Sequence, residues 1–113
     1  MGAKSRRKGC RGELEAAAEL GRLFHVEAHR GRQYQGCQDA PDVQTAICNV
    51  HFEVKRVEAL RLYPALEQAL EDAGDSVPVV LHRANQKPWV AIVRLDDLPK
   101  LAVQLYLTLA QNA

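Results

Sequence analysis

Residues 49–55, Asn-Val-His-Phe-Glu-Val-Lys, carry the clearest secondary-structure signal in this 113-residue chain. Apolar side chains stand at positions 50, 52 and 54, and polar side chains at positions 51, 53 and 55. This alternation predicts a β-strand with one apolar and one polar face. Glu53 and Lys55 leave the polar face together, because residues two apart on a strand point the same way. An acid and a base aimed together from the middle of a sheet are not needed for packing.

A helix is predicted upstream of this strand, over residues 10–24. Its apolar residues recur at i, i+3, i+4 and i+7, the spacing of one helical face. Glu13 lies on the line of Ala17 and Leu20, which points inward. An inward carboxylate needs a compensating group, because burying an unpaired charge is expensive. Residues 1–9, ahead of the helix, are expected to form a flexible basic arm.

Two strands are predicted between that helix and residues 49–55. Residues 25–30 alternate weakly, and another strand begins at Pro41-Asp42-Val43. Two glycines and several polar residues in the segment 31–40 indicate a loop. If the strand at Pro41 pairs with residues 49–55 as a hairpin, Asp42 approaches Glu53.

A helix, two strands and a closing helix are predicted downstream. Pro64 suits the first turn of a helix and Gly74 its C-terminal cap. The order α-β-β-β-α-β-β-α indicates an α/β (α+β) fold, a mixed central sheet flanked by helices, in one domain. The downstream elements cover residues 64–74, 77–83, 89–94 and 98–111.

The closing helix is predicted to have two apolar faces and a narrow polar edge. Such a helix needs two surfaces to bury against. One is the core of the domain, and the other is a second copy of the chain, which predicts a homodimer. The alternative is a helix wholly buried in a small core. The first face holds Leu98, Leu101, Ala102, Leu105 and Leu109, and the second Val103, Tyr106, Leu107 and Ala110.

Composition predicts a cytoplasmic protein. No stretch is long and apolar enough to cross a bilayer, and the N-terminus lacks the apolar run of a secretory signal. Cys10, Cys37 and Cys48 cannot all pair within one chain, and their spacing matches no zinc motif. Reduced thiols in a cytoplasmic protein are therefore expected.

Positive charge is concentrated in two segments, although the net charge is only +1. Residues 57–113 lean acidic, so the basic segments stand apart from the rest of the chain. This asymmetry suits a face directed toward a polyanion such as DNA. The alternative is a solvated basic tail. The segments contain Lys4, Arg6, Arg7, Lys8 and Arg11, and then Arg30 and Arg32 beside His29.

Four residues form the candidate catalytic set: Glu13, Asp42, Glu53 and Lys55. Two carboxylates that face each other repel, and a hard divalent cation such as Mg²⁺ relieves that repulsion. Mg²⁺ takes one or two protein carboxylates and leaves the rest of its shell to water and phosphate oxygens. Mn²⁺ is expected to substitute for it.

This set suits hydrolysis of a phosphodiester. A bound metal lowers the pKa of a coordinated water and neutralises charge on the phosphate. Lys55 would orient the attacking water and stabilise developing negative charge. Glu13 would complete the metal site directly or through a water, which explains its inward position. The bland alternative is a surface ion pair between Glu53 and Lys55 with an unrelated turn aspartate.

The order Glu13, Pro41-Asp42, Glu53-Val54-Lys55 resembles the signature of the PD-(D/E)xK nuclease superfamily. Within it, the stretch from Arg7 to Glu13 is similar to the opening Arg-Lys-Gly-x-x-x-Glu of archaeal Holliday junction resolvases. Residues 51–55 resemble their metal-binding strand. Residues 76–81 and 89–93 are similar to their last two strands in order and spacing, so the resemblance covers most of residues 7–95.

This resemblance implies a restriction-endonuclease-like core and a homodimer that cuts four-way DNA junctions. It implies that the metal is bound by Asp42, Glu53 and the Val54 carbonyl, with Glu13 nearby. It also implies DNA-contacting basic residues near the site. By position these are Arg30 and Arg83, and Arg56 is a further candidate for a phosphate contact.

The chain departs from these resolvases at two places. Leu14 follows the helical glutamate where they often carry Arg, and the loop 31–40 is longer than in short relatives. The compact chain and its apolar closing helix would fit a phage-encoded version, which would act in the host cytoplasm. VRR-NUC nucleases share the Pro-Asp and Glu-x-Lys elements, so another branched or flap DNA nuclease is the first alternative. A non-catalytic DNA-binding protein with the same fold is the second.

Two other residues allow opposed interpretations. His51 shares the polar face of Glu53 and is either an ordinary strand residue or a contact to substrate or to the outer shell of the metal. Trp89 either packs at the sheet edge or stacks on a base. The remaining histidines, His25, His29 and His82, have no zinc spacing with the cysteines.

Overall fold

A computed structural model of the chain describes residues 3–31 and 42–112, with side chains from residue 10 onward. Its described elements form a mixed α+β domain, which confirms the predicted fold class. They are α1 (Ala3–Phe24), β1 (Ala28–Arg30), β2 (Val43–Thr45), β3 (Val50–Lys55), α2 (Leu62–Ala73), β4 (Val77–His82), β5 (Val90–Ile92), a 3₁₀ turn (Leu95–Asp97) and α3 (Leu98–Gln111).

The five strands form one mixed sheet in the order β1-β2-β3-β4-β5. Only the β3–β4 pair is parallel, and the other three pairs are antiparallel. Parallel neighbours need a long crossover connection, which α2 supplies between β3 and β4. The ends of β1, β3 and β4 and the start of β2 therefore meet at one end of the sheet.

Helices cover both faces of the sheet. The larger core cluster joins α1 and α3 to one face, here called the α1 face, and includes Phe52 and Val79. The smaller cluster joins α2 to the opposite α2 face and includes Val80. Since side chains alternate along a strand, Glu53, the cross-strand neighbour of Val80, lies on the α2 face. The core packing thus separates the apolar and polar faces of β3 as the sequence predicted.

The first helix starts earlier than expected. α1 begins at Ala3 rather than near residue 10, so the predicted start of this helix is wrong and residues 3–9 are helical. Ala, Lys and Arg have high helix propensity, and no proline interrupts them. Strands β1 and β5 are shorter than predicted, whereas α3 covers the predicted residues. No helix among the described residues is long and apolar enough to span a membrane.

Gly12 lets α1 lie unusually close to the end of β3. A Cβ at this position would stand 2.6 Å from the Cβ of Arg56 and 3.7 Å from Val54 Cγ1. Real Cβ atoms do not approach so closely, and an Arg Cβ is tied to its backbone. Because Gly12 has no side chain, α1 can approach the end of β3, and this approach places the next residue, Glu13, near the end of the sheet.

We expect Gly12→Ala to lower the free energy of unfolding by about 1–3 kcal/mol, because the added methyl group overpacks this contact. In an open helix the same change would stabilise the protein by about 1 kcal/mol. Urea denaturation measures the difference. Gly21→Ala is the milder comparison and should cost less, since its Cβ would stand 3.1 Å from the Val26 carbonyl oxygen, a tight contact but not a clash of 2.6 Å. A stabilised Gly12→Ala protein would contradict the close contact.

Candidate metal centre

Asp42 and Glu53 approach each other across neighbouring strands. Val43 pairs with Phe52 in the antiparallel β2–β3 ladder, and the Asp42 N–H donates to the Phe52 carbonyl oxygen at 3.0 Å. Asp42 and Glu53 are both buried, with exposed fractions of 8% and 7%. The negative charge of Glu53 raises the pKa of Asp42, so the structure brings the two carboxylates that the sequence singled out within electrostatic reach of each other.

The side chain of Asp42 is anchored to the backbone of β3. Its Oδ2 accepts a hydrogen bond of 2.8 Å from the Val54 N–H. The backbone of Lys55 faces β4, because its carbonyl accepts from the Arg83 N–H at 3.3 Å. Backbone groups alternate sides along a strand, so the Val54 carbonyl points toward β2 and Asp42. Two of the three proposed metal ligands, Asp42 and the Val54 carbonyl, thus lie on the same side of β3.

All four candidate catalytic residues share one electrostatic environment. Burial is the largest cause that raises the pKa of Asp42, to about 6, and the Val54 hydrogen bond lowers it. The negative charges of Glu53 and Glu13 raise this pKa further, whereas Lys55 lowers it. A divalent cation would relieve both causes that raise this pKa, because it would compensate the buried charge of Asp42 and the repulsion from the two glutamates. The donor set is all oxygen and therefore fits Mg²⁺.

Glu13 reaches this region from α1 but is held by an arginine. Arg30 donates from Nε to Glu13 Oε1 at 2.7 Å. The side chain of Glu13 is 18% exposed, so the pair supplies the compensating group that an inward carboxylate needs. Arg30 ends β1 and Glu13 sits in α1, so the ion pair ties the helix to the sheet beside Asp42.

The other predicted basic residues near the site are engaged by acids. Arg83 Nη1 donates to Glu15 Oε1 at 2.7 Å, and Arg56 Nε lies 3.8 Å from the same oxygen. Arg56 also donates from Nη2 to Asn85 Oδ1 at 3.0 Å. Their side chains are positioned at the sheet end with Lys55, but part of their charge is already balanced by Glu15.

The remaining predicted DNA contacts are only partly described. Arg11 is exposed on α1. The backbone of Lys4, Arg6, Arg7 and Lys8 lies in α1, and their side chains lie outside the description. Arg32, Pro41 and the loop 32–41 fall outside the described residues. These DNA contacts stay predictions.

Asp72 is the acid that the sequence analysis missed. Single ligand atoms of His51, Glu53 and Asp72 all lie within 4.8 Å of one another. Asp72 follows Ala65 by seven residues, so helical spacing places it on the buried face of α2. That spacing was the available signal, but it does not show which strand the helix covers.

Other candidate residues have ordinary structural roles. Trp89 packs against the larger core cluster, as predicted for a residue at the sheet edge. His82 Nε2 lies 2.9 Å from the Val57 carbonyl oxygen, a hydrogen-bond distance. Cys10 and Cys48 are free thiols, and Cys37 lies outside the described residues.

Comparison of the chain with family models, with curated proteins and with solved structures gives no match.

Replacing Asp42 by Asn is expected to stabilise the metal-free protein at neutral pH. The carboxyl pKa is about 6 in the folded state and about 4 when unfolded, so the folded state binds this proton more tightly. Stability from that proton is present below pH 4 and is lost as the pH rises through 6. Asn stays neutral and can still accept from Val54. In EDTA, Asp42→Asn should gain about 2 kcal/mol at pH 7.5 and little at pH 4.

Urea denaturation at both pH values tests this expectation, with Asp75→Asn as the control because Asp75 is exposed in a turn. The control should show the same stability as the parent at each pH. An Asp42→Asn protein that is less stable than the parent at pH 7.5 without metal would contradict the raised pKa of Asp42.

Proposed function

We propose that this protein is an Mg²⁺-dependent, structure-specific DNA endonuclease that resolves four-way junctions as a homodimer in the cytoplasm. The observation that carries the proposal is that buried Asp42, at the start of β2, interacts electrostatically with Glu53, Glu13 and Lys55, two of which share one face of β3. The choice of a four-way junction as the substrate rests on the resemblance of residues 7–95 to archaeal Holliday junction resolvases. A restriction-endonuclease-like core is part of the same proposal.

The proposed chemistry divides among four side chains. Asp42, Glu53 and the Val54 carbonyl would hold the cation, which supplies an acidified water and neutralises charge on the scissile phosphate. Lys55 would orient the attacking water by hydrogen bonding and would stabilise negative charge that develops on the phosphate. Glu13, which forms an ion pair with Arg30, would complete the metal site directly or through a water. The Arg30 side chain is 48% exposed and would also meet a phosphate of the junction arm.

Basic residues around the sheet end would orient the DNA. Arg11, Arg30, Arg56 and Arg83 lie near the strand ends that carry the metal centre, and Lys4, Arg6, Arg7, Lys8 and Arg32 extend the basic set along the chain. Contacts to phosphates position a nucleic acid without identifying its bases. Binding should therefore depend on the shape of the junction and should weaken steeply with salt.

The outer surface of α3 supports the homodimer. Leu101 and Thr108 are buried against the domain, whereas Val103, Tyr106 and Leu107 have exposed fractions of 54%, 70% and 47%. Leu95, just before the helix, is 79% exposed. This apolar surface is wide, and burying it against a second copy would be favourable. A two-fold dimer would present two symmetric sites, as paired nicks in opposing strands require.

Junction cleavage is expected to need Asp42. Asp42→Asn should keep junction binding within a few-fold and lose at least about 100-fold in Mg²⁺-dependent cleavage, because one metal ligand loses its charge. A labelled four-way junction assayed with Mg²⁺, Mn²⁺ or EDTA measures this directly. Asp75→Asn should cleave like the parent. Equal cleavage by parent and Asp42→Asn would refute the role of Asp42.

The choice of substrate separates the alternatives. A resolvase should cut the four-way junction with paired nicks and leave linear duplex intact. Preference for a flap or a fork would favour a VRR-NUC-like or other branched-DNA nuclease. Tight junction binding with no cleavage under any divalent metal would favour a non-catalytic DNA-binding protein.

Charge placed on the exposed face of α3 should separate the dimer. Val103→Glu with Tyr106→Glu adds two like charges to a surface that the partner would desolvate. Both positions are exposed in one copy, so the fold of each chain should be kept. Sedimentation should show a dimeric parent and a monomeric double variant with unchanged helix content. A parent that is monomeric at micromolar concentration would show that α3 is not a dimer interface.

A further inference from the structure

The polar face of β3 extends inward from the metal centre to a buried histidine. His51 is 4% exposed, and its Nε2 lies 3.2 Å from Glu53 Oε1. Its cross-strand neighbour is Pro78, which is fully buried. An apolar residue would fill such a position without needing a partner, whereas a buried imidazole must be hydrogen-bonded. The contact with Glu53 meets that need.

The direction of this hydrogen bond follows from the chemistry of its partners. When Glu53 binds a cation it is ionised and can only accept, so the Nε2 of His51 would carry the hydrogen. One oxygen of Glu53 is then engaged by His51, which restricts the orientation of the carboxylate. The second oxygen is left for a ligand.

We propose that His51 is a positioning residue that orients Glu53 for cation binding. This inference rests on the proposed metal centre. Carboxylates that bind metals are commonly held by an outer hydrogen bond, and losing such a partner typically weakens metal affinity about 10- to 100-fold. His51 does this from within the same strand, two residues away, where the strand geometry keeps both side chains on one face.

The nearby Asp72 raises a competing arrangement. His51, Glu53 and Asp72 have ligand atoms within 4.8 Å of one another and could themselves surround an ion. Mg²⁺ prefers oxygen ligands and rarely takes imidazole. An outer hydrogen bond to Glu53 therefore accounts better for His51 than direct ligation.

Mn²⁺ binding to paired variants of His51 tests the proposal without relying on activity. His51→Gln keeps an N–H donor, whereas His51→Leu has similar bulk and no donor. Calorimetric titration with Mn²⁺ at pH 7.5 should show one ion per chain for the parent. Affinity should fall about 10- to 100-fold in His51→Leu and only a few-fold in His51→Gln. His51→Met serves as the donor-free variant if the Leu protein does not fold, with thermal unfolding in EDTA as the check.

Two outcomes would overturn the role of His51. The first is a donor-free variant that is folded and binds Mn²⁺ as tightly as the parent. The second is a parent that binds two ions, one of which is lost both in His51→Leu and in Asp72→Asn, since His51 would then be a direct ligand. Asp42→Asn is titrated in parallel. Loss of Mn²⁺ binding there, with normal binding in His51→Leu, would reject this inference and leave the proposed function standing.

Discussion

The pairing of β2 with β3 is the constraint on which the candidate site depends. The antiparallel pairing of Val43 with Phe52 lets Asp42 accept the Val54 N–H and brings it within electrostatic reach of Glu53. A shift by one residue would break the contact of Asp42 with Val54 and move Val43 out of the core. Burial of Val43 and Phe52 therefore secures the approach of two like charges that repel each other.

Some of the acidic side chains at the end of the sheet are paired with arginines, and others are buried. Glu13 is balanced by Arg30 at 2.7 Å, and Glu15 by Arg83 at 2.7 Å. Burial, with smaller contributions from the charges of Glu53 and Glu13, raises the pKa of Asp42 to about 6, although Lys55 lowers it. Such a set of groups costs stability, and the proposed cation would relieve that cost. The outer acids Glu13 and Glu15 are paired with arginines, whereas the inner acids Asp42 and Glu53 are buried. This combination distinguishes the site from a solvated acidic surface.

The two flanking layers serve different purposes. α1, brought close by Gly12, carries Glu13 and Glu15 to the strand ends, while α2 packs Ala69 over Val80 and brings Asp72 beside His51. α3 buries Leu101 but leaves most of its apolar surface exposed. The sheet thus has a polar end suited to chemistry and an apolar helix suited to a partner, and neither surface needs the other for its packing.

Local periodicity in the sequence was enough to determine the order of helices and strands and the extent of α3. It also determined that His51, Glu53 and Lys55 share one face of their strand. It also singled out Glu13 as an inward acid and Asp42 as the start of a strand. It misplaced the start of α1, because a basic run was taken for an arm although its residues favour helix. Only the tertiary structure decided that Asp42 interacts with Glu53 and with the Val54 N–H, that Arg30 holds Glu13 and that Asp72 lies beside His51. Alternation and helical spacing specify the side on which a residue points, but partners from distant segments are selected by strand register and by the helix that covers each face.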